Sequence, residues 1–262
     1  RLKITKEGGL RFISHLEYMR TLERAVRRAK LPAAWTEGFN PHMKLSLASA
    51  LGLGIESLSE YAELELAAPL SAAAAAAALN AKLPRGIRAL AADVVEKAPK
   101  LAALLAMASY TADMPEGFPA ESINRAAAGY NEAPEFFCDK KTAPGKPARR
   151  LDLKKYTPAV TCENLPGRAR LCFDCLITAA GSVRAHDLID ALNSRFGLGL
   201  DILAVRITRT GLYREGREPL ITGPTLSDGA NPPFWWPDIK REPNLPQREV
   251  SHSNEGSGNG ED

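Results

Sequence analysis

The chain has 262 residues, enough to bury a substantial core in one large domain or two small ones. Hydrophobic residues are 45% and charged residues 25% of it, which excludes a collagen, a coiled coil and a wholly disordered chain. The net charge of +3 is a sum of unlike parts: residues 1–214 hold 30 basic and 22 acidic side chains, residues 215–262 hold 4 and 9, and the first 50 residues alone hold 10 and 4.

The opening Arg1-Leu2-Lys3-Ile4-Thr5-Lys6 alternates as a short strand. It lacks the apolar core of a secretory signal, so a cytoplasmic protein is expected. Gly8-Gly9 makes a turn. Ser14 followed by Glu17 is a capping box, and it opens a helix from about His15 to Lys30 that stops before Pro32. On a helical wheel Tyr18, Met19, Leu22, Ala25, Val26 and Ala29 share one face, with His15 inside that stripe, and Arg20, Arg24, Arg27 and Arg28 share the other. Extended segments near Ala33–Thr36 and Lys44–Ala48 flank the turn Gly38-Phe39-Asn40-Pro41-His42. Tyr61, Glu63 and Glu65 alternate with Ala62, Leu64 and Leu66 as a half-buried strand. Ser71 caps an alanine-rich helix that runs to about Lys82, and Ile87 to Val95 reads as a strand. That apolar helix is too short to cross a bilayer, and no membrane partner is expected. The order β-α-β-β-α-β is the ferredoxin-like arrangement.

The second half repeats the pattern less clearly. A strand is expected at Ser109–Met114, a helix at Ala120–Tyr130, a short extended piece at Phe136–Cys138 and a strong strand at Ala169–Thr178. A helix follows at Ala185–Phe196, then a last strand in which Leu203, Val205 and Ile207 alternate. Between the strands lies a basic loop with Lys140, Lys141, Lys146, Arg149 and Arg150. The expected fold is therefore α+β: two tandem ferredoxin-like units, residues 1–98 and 99–214, followed by an acidic Pro/Gly-rich tail at 215–262. The tail holds 7 of the 19 prolines and too little apolar surface to offset its ordering entropy, so it reads as mostly disordered. Inside it, Phe234, Trp235 and Trp236 either fold back on the body or dock a partner's pocket, for which Trp is a typical anchor.

The chemistry-bearing residues are few. Cys172 and Cys175 form a CxxC, but they sit on a strand pattern that points them to opposite faces, which is wrong for a shared metal. No Walker loop, GxGxxG, HExxH or GxSxG is present, and the triple-cysteine cluster motif of a radical SAM enzyme is absent. No metal site is expected. Arg20, Arg24, Arg27 and Arg28 suit phosphates, since guanidinium binds them bidentately and stacks on bases; the same four also fit a plainly solvated helix face. Asn40, His42 and Lys44 place an amide, an imidazole and a cation close together, a set that suits an anion or nucleotide. His15 and His42 are candidate general bases for phosphodiester cleavage.

Several strings resemble a known family. Leu10-Arg11-Phe12-Ile13-Ser14-His15-Leu16-Glu17-Tyr18-Met19-Arg20, Glu37-Gly38-Phe39-Asn40-Pro41-His42, Lys44-Leu45-Ser46, Leu53-Gly54-Ile55-Glu56-Ser57, Glu60-Tyr61 and Arg209-Thr210-Gly211-Leu212-Tyr213 resemble the radical SAM-linked domain family of unknown function. Met43 departs from it, standing where the family pattern leads us to expect Pro. Members are fused to, or encoded beside, cobalamin-binding radical SAM proteins, often near ribonuclease E/G and ribosomal protein genes. The resemblance implies a partner rather than a reaction: a radical SAM protein carrying S-adenosylmethionine, an iron–sulfur cluster and cobalamin, with no cofactor on this chain. The leading expectation is a non-catalytic accessory module that binds RNA, tRNA or rRNA, or presents substrate. Arg20, Arg24, Arg27, Arg28 and Lys44 would hold phosphates, and Asn40 and His42 would contact a base or ribose. The rivals are a protein–protein scaffold for the same partner and a metal-independent endoribonuclease using His15 or His42.

Overall fold

Alternation, helical stripes and caps set most of the elements in the computed structural model, which describes residues 1–140 and 149–223. In chain order the first elements are β1 (Leu2–Lys6), a 3-10 turn (Gly8–Phe12), α1 (His15–Arg28), β2 (Leu45–Leu47), β3 (Glu56–Leu64), α2 (Ala72–Asn80) and β4 (Ala89–Ala92). They continue with α3 (Leu101–Leu104), β5 (Met107–Asp113), α4 (Ala120–Glu132), β6 (Phe137–Lys140), β7 (Arg149–Asp152), β8 (Val160–Leu165), β9 (Arg168–Thr178), β10 (Gly181–Ser182), α5 (Ala185–Phe196) and β11 (Arg206–Tyr213). The fold is mixed α+β, with one large sheet of nine strands ordered β10-β9-β5-β11-β3-β1-β4, β2 lying beside β3 and β8 beside β9. The strands β6 and β7 form a separate hairpin.

Two stretches of the large sheet run in the same order. β4, β1, β3 and β2 are neighbours in turn, and so are β11, β5, β9 and β8. They join through β11 and β3, the parallel pair, in register at Thr208↔Glu56 and Arg209↔Ser57. Each stretch has its own helices. Tyr18, Leu22 and Val26 of α1 and Leu79 of α2 pack with Leu2, Ile4 and Ala62. Ile123 and Tyr130 of α4 and Leu188 and Leu192 of α5 pack with Tyr110, Leu171 and Phe173.

Local signals explain the ends of these elements. The capping box at α1 is complete: Ser14 Oγ accepts from the Glu17 amide at 3.2 Å, and Glu17 accepts from the Ser14 amide at 2.9 Å. The helix ends at Arg28, two residues before Lys30 takes a left-handed φ of 51°. Ser71 caps α2. The last strand starts at Arg206, later than the alternation of Leu203, Val205 and Ile207 suggests. Asp201 accepts from the Leu203 amide at 3.0 Å and folds residues 202–204 into a 3-10 turn instead.

The strand β3 differs most from its half-buried pattern. Ser57, Ser59, Glu60, Tyr61 and Ala62 are all buried. The strand lies in the middle of the sheet, with Ala62 in the α1–α2 core and Tyr61 in the other. On the Tyr61 side, Ala91 and Leu101 fill the same core. The described fold runs on past Arg214, with Leu220 and Ile221 buried and Gly223 packed closely on Ala92. The segment Phe234–Trp236 lies outside the described residues.

Candidate functional site

The four arginines of α1 fall where the wheel puts them. Tyr18, Leu22, Ala25 and Val26 turn inward, while Arg20, Arg24, Arg27 and Arg28 are exposed. Their surroundings differ. Among the described residues neither Arg20 nor Arg24 has an ion-pair partner. Arg27 meets Glu23 only at 3.9 Å and lies over the Trp35 ring, 5.1 Å from its centroid. Arg28 donates to the Lys82 carbonyl at 2.9 Å, tying α1 to the end of α2.

The turn after α1 is a short hairpin. Thr36 donates to the His42 carbonyl at 2.8 Å and Lys44 to the Ala34 carbonyl at 2.9 Å, bracketing the antiparallel pair Trp35↔Met43. His42 in turn donates its amide to Thr36 Oγ1 at 2.9 Å. Alternation along a strand puts Trp35 and Met43 on one face and Thr36, His42 and Lys44 on the other. Met43 is buried in the α1–α2 core, so the residue that departs from the family pattern anchors the hairpin. At the tip Phe39 is 100% exposed, and Trp35 behind it is 40% exposed.

The expected cluster is thus divided. Asn40 and His42 are exposed at the hairpin end. Lys44 is held by Glu65 at 2.7 Å, so its charge is already matched. His15, placed by the wheel in the apolar stripe, is exposed at the first turn of α1. The twelve steps from His15 to Arg27 rise about 18 Å, and Arg27 is the residue of α1 that lies on the hairpin's Trp35, so His15 and His42 stand towards opposite ends of the helix. Among the described residues neither imidazole touches an acid or a base. Trp35 and Phe39 are the residues that the arginine pattern did not reveal. Phe39 had a signal in the sequence: an aromatic between Gly38 and Asn40-Pro41 occupies a turn, and turns run over the surface.

Other strings that carry the family resemblance meet inside the fold. Arg209 donates to both oxygens of Glu60, at 2.9 and 3.2 Å, to the Tyr110 hydroxyl and to the Ala50 carbonyl. Both side chains are nearly sealed, 5% and 1% exposed. Burial opposes the charge on Arg209, and Glu60 restores it. Burial also pulls the Lys6 amine below its ordinary value, against the pull of Glu60, and Lys6 spends a proton on the Ile13 carbonyl at 2.9 Å. Gly211 sits beside a break in register, where its missing side chain leaves room for the Tyr213 ring. Arg206 grips both oxygens of Glu56, at 3.0 Å each. That pair lines a cleft of about 250 Å³ with Gly8, Gly9, Arg11 and Phe12. A larger cleft of about 510 Å³ lies beside β6, lined by Glu135, Phe137, Asp139, Arg150 and Arg195 among others.

All four cysteines are free thiols. Cys175 is buried among Leu171 and Phe173 while Cys172 faces the other way. Burial pushes the Cys172 thiol up to about 12 and the Cys175 thiol up to about 11. Among the described residues no group of His, Cys, Asp or Glu is placed to hold a metal ion, and no helix is long and apolar enough to cross a membrane.

A family model described as an uncharacterized protein conserved in bacteria (DUF2344) matches residues 1–185, and the chain belongs to that family. No curated protein matches it. Among solved structures the chain is similar to a chain of a Cbf5-Nop10-Gar1 complex, at 13% identity and a TM-score of 0.44, over 82% of this chain and 50% of that one. The chain therefore spans about half the length of that structural relative.

Proposed function

We propose that this member of the bacterial DUF2344 family is a non-catalytic accessory module of a radical SAM enzyme system, and that it binds RNA along α1 and the hairpin of residues 33–45. The observation that carries the RNA reading is the exposed line of Arg20, Arg24 and Arg27 leading to Trp35 and Phe39. Exposed guanidinium groups bind phosphate, and rings beside them stack on bases. The radical SAM partner rests on the resemblance of the strings above. S-adenosylmethionine, the iron–sulfur cluster and cobalamin sit on that partner. The non-catalytic reading is supported by the separation of His15 from His42.

Each half is a ferredoxin-like unit in this reading, residues 1–98 and 99–214. The two matching strand orders, β4-β1-β3-β2 and β11-β5-β9-β8, support it. RNA-binding sheets of this kind stack bases on an open face. Here that face of β1 and β3 is filled by Tyr61, Ala91 and Leu101, which favours the helix side as the binding surface.

The test is a gel-shift titration of the full chain with tRNA and rRNA fragments at several salt concentrations. Binding at low salt, steeply lost as salt rises, is expected. The triple variant Arg20→Ala/Arg24→Ala/Arg27→Ala abolishes it. No binding at low salt, or binding indifferent to the triple variant, sinks the proposal. A second reading, a scaffold for the radical SAM partner, is favoured by the exposed Phe12, Leu16 and Leu53, 57–62% accessible. The Gly54 amide, bonded to the Arg11 carbonyl at 2.8 Å, brings the Leu53 turn to this region. Co-purification of the partner, lost in Phe12→Asp/Leu16→Asp with RNA binding intact, distinguishes it.

A further inference from the structure

A fully exposed phenylalanine does nothing for folding, because its ring leaves water neither in the folded nor in the unfolded chain. Phe39 is such a ring, 100% exposed, yet the backbone that carries it is well held. Gly38 takes a φ of 111°, which L side chains rarely adopt. The stem below is closed by Thr36, His42 and Lys44 through their ladder bonds and by Met43 in the core. Trp35 is presented from the same stem, with the Arg27 guanidinium on its ring. From there Arg24 and Arg20 step back along α1, with axial rises of about 4.5 and 6 Å. Cations and rings thus follow one another along a path from α1 to the hairpin that carries Phe39 at its tip.

Resting on the RNA reading above, we infer that this path takes unpaired RNA, with a base stacked on Phe39 and the neighbouring phosphates on Arg20, Arg24 and Arg27. The geometry is unsuited to a duplex. An A-form helix keeps its bases stacked on one another and shows only their edges, and its major groove is too deep and narrow for a side chain to read. A protruding ring gains from a nucleic acid only where a base is free to offer its face. Every base has such a face, so stacking here is tolerant of sequence. Specificity for a particular loop comes from its shape, or from the partner.

The experiment is fluorescence anisotropy of the full chain at low salt, with an unstructured labelled oligoribonucleotide of about 12 nucleotides and a blunt-ended, fully paired RNA duplex of the same total charge. The unstructured strand is expected to bind about tenfold more tightly, a difference the size of one stacked base. Phe39→Ala removes that preference without changing the melting temperature, since the ring packs on nothing, and Phe39→Trp retains it. Arg24→Ala weakens both ligands. Equal affinity for the two RNAs, or a Phe39→Ala variant with its preference intact, overturns this inference and leaves the RNA reading standing. No binding of either RNA overturns the RNA reading itself.

Discussion

The junction of β3 and β11 is held by a buried ion pair, and Arg209→Met tests how much of the fold depends on it. The substitution keeps the aliphatic volume and removes the guanidinium. It leaves Glu60, 1% exposed, with no cation in contact, and it strips the Tyr110 hydroxyl and the Ala50 carbonyl of a donor. Lys6 feels the charge of Glu60 but makes no hydrogen bond to it, its amine being turned to the Ile13 carbonyl. Breaking one side of such a pair costs about 3–5 kcal/mol, because the remaining charge is stranded away from water. For a body of this size each kcal/mol lowers the melting temperature by about 2–4 °C, so a fall of about 6–20 °C is expected in thermal unfolding followed by circular dichroism. Glu60→Gln in the same chain removes the stranded charge, and the double variant recovers at least half of the loss. A fall of less than about 3 °C in Arg209→Met would refute the reasoning, since it means that Glu60 finds water or another cation.

Three further outcomes follow from particular contacts. His186 is held below its ordinary value of 6.5, first by burial and then by Arg184, against the pull of Asp190 and Asp187. The unfolded chain therefore takes up its proton first, and stability falls as pH drops below 6.5 and down to the folded value; His186→Gln flattens urea midpoints across that window, and an unchanged slope contradicts the assignment. Cys172 and Cys175, pushed up to about 12 and about 11, stay protonated at pH 8 and escape iodoacetamide in the folded protein, as mass mapping before and after urea will report. RNA affinity against salt separates the cations: each phosphate held on a single strand adds about −0.7 to the log–log slope, so Arg24→Ala flattens it by that amount. Lys44→Ala leaves it unchanged because Glu65 already matches that charge; a flattening by Lys44→Ala as large as that by Arg24→Ala rules the idea out.

Much of this architecture is legible in the sequence, wherever the cause is local. The capping box that starts α1, the stripe that buries Tyr18 and Leu22, and the alternation of Leu171, Phe173 and Cys175 in β9 are each set within a few residues. What the sequence hides depends on partners far along the chain. The two buried faces of β3 follow from α1 and α2 on one side and from the core of Ala91 and Leu101 on the other, and its covered edge from β11, about 150 residues later. The same holds within the candidate site. The basic face of α1 is readable from spacing alone, but nothing near Lys44 announces Glu65, and nothing near Arg28 announces the Lys82 carbonyl. His15 shows the opposite failure. The wheel places it in the apolar stripe, yet the first turn projects beyond the core, and position on a wheel says nothing about where the core stops.

The strings that carry the family resemblance divide by what the fold makes of them. Glu60 and Arg209 form the sealed pair, Glu56 grips Arg206, Gly211 admits the Tyr213 ring, and Ser14 with Glu17 starts α1. Each of these has a sufficient reason in folding, and none needs a ligand. Glu37-Gly38-Phe39-Asn40-Pro41-His42 is different. Its ends are tied by Thr36 and His42, but the ring at its tip contributes nothing to the body that holds it out. A ring held out on a braced stem gives no return in stability. In the RNA reading that return comes from outside the chain, and the exposed Arg20 and Arg24 on the neighbouring helix give the partner its charge. On these grounds, substitutions at Arg209 and at Phe39 should act on separate observables: the first on the melting temperature, the second on the preference for unpaired RNA. A Phe39→Ala variant that lowers stability as Arg209→Met does would break the division and return the hairpin tip to the fold.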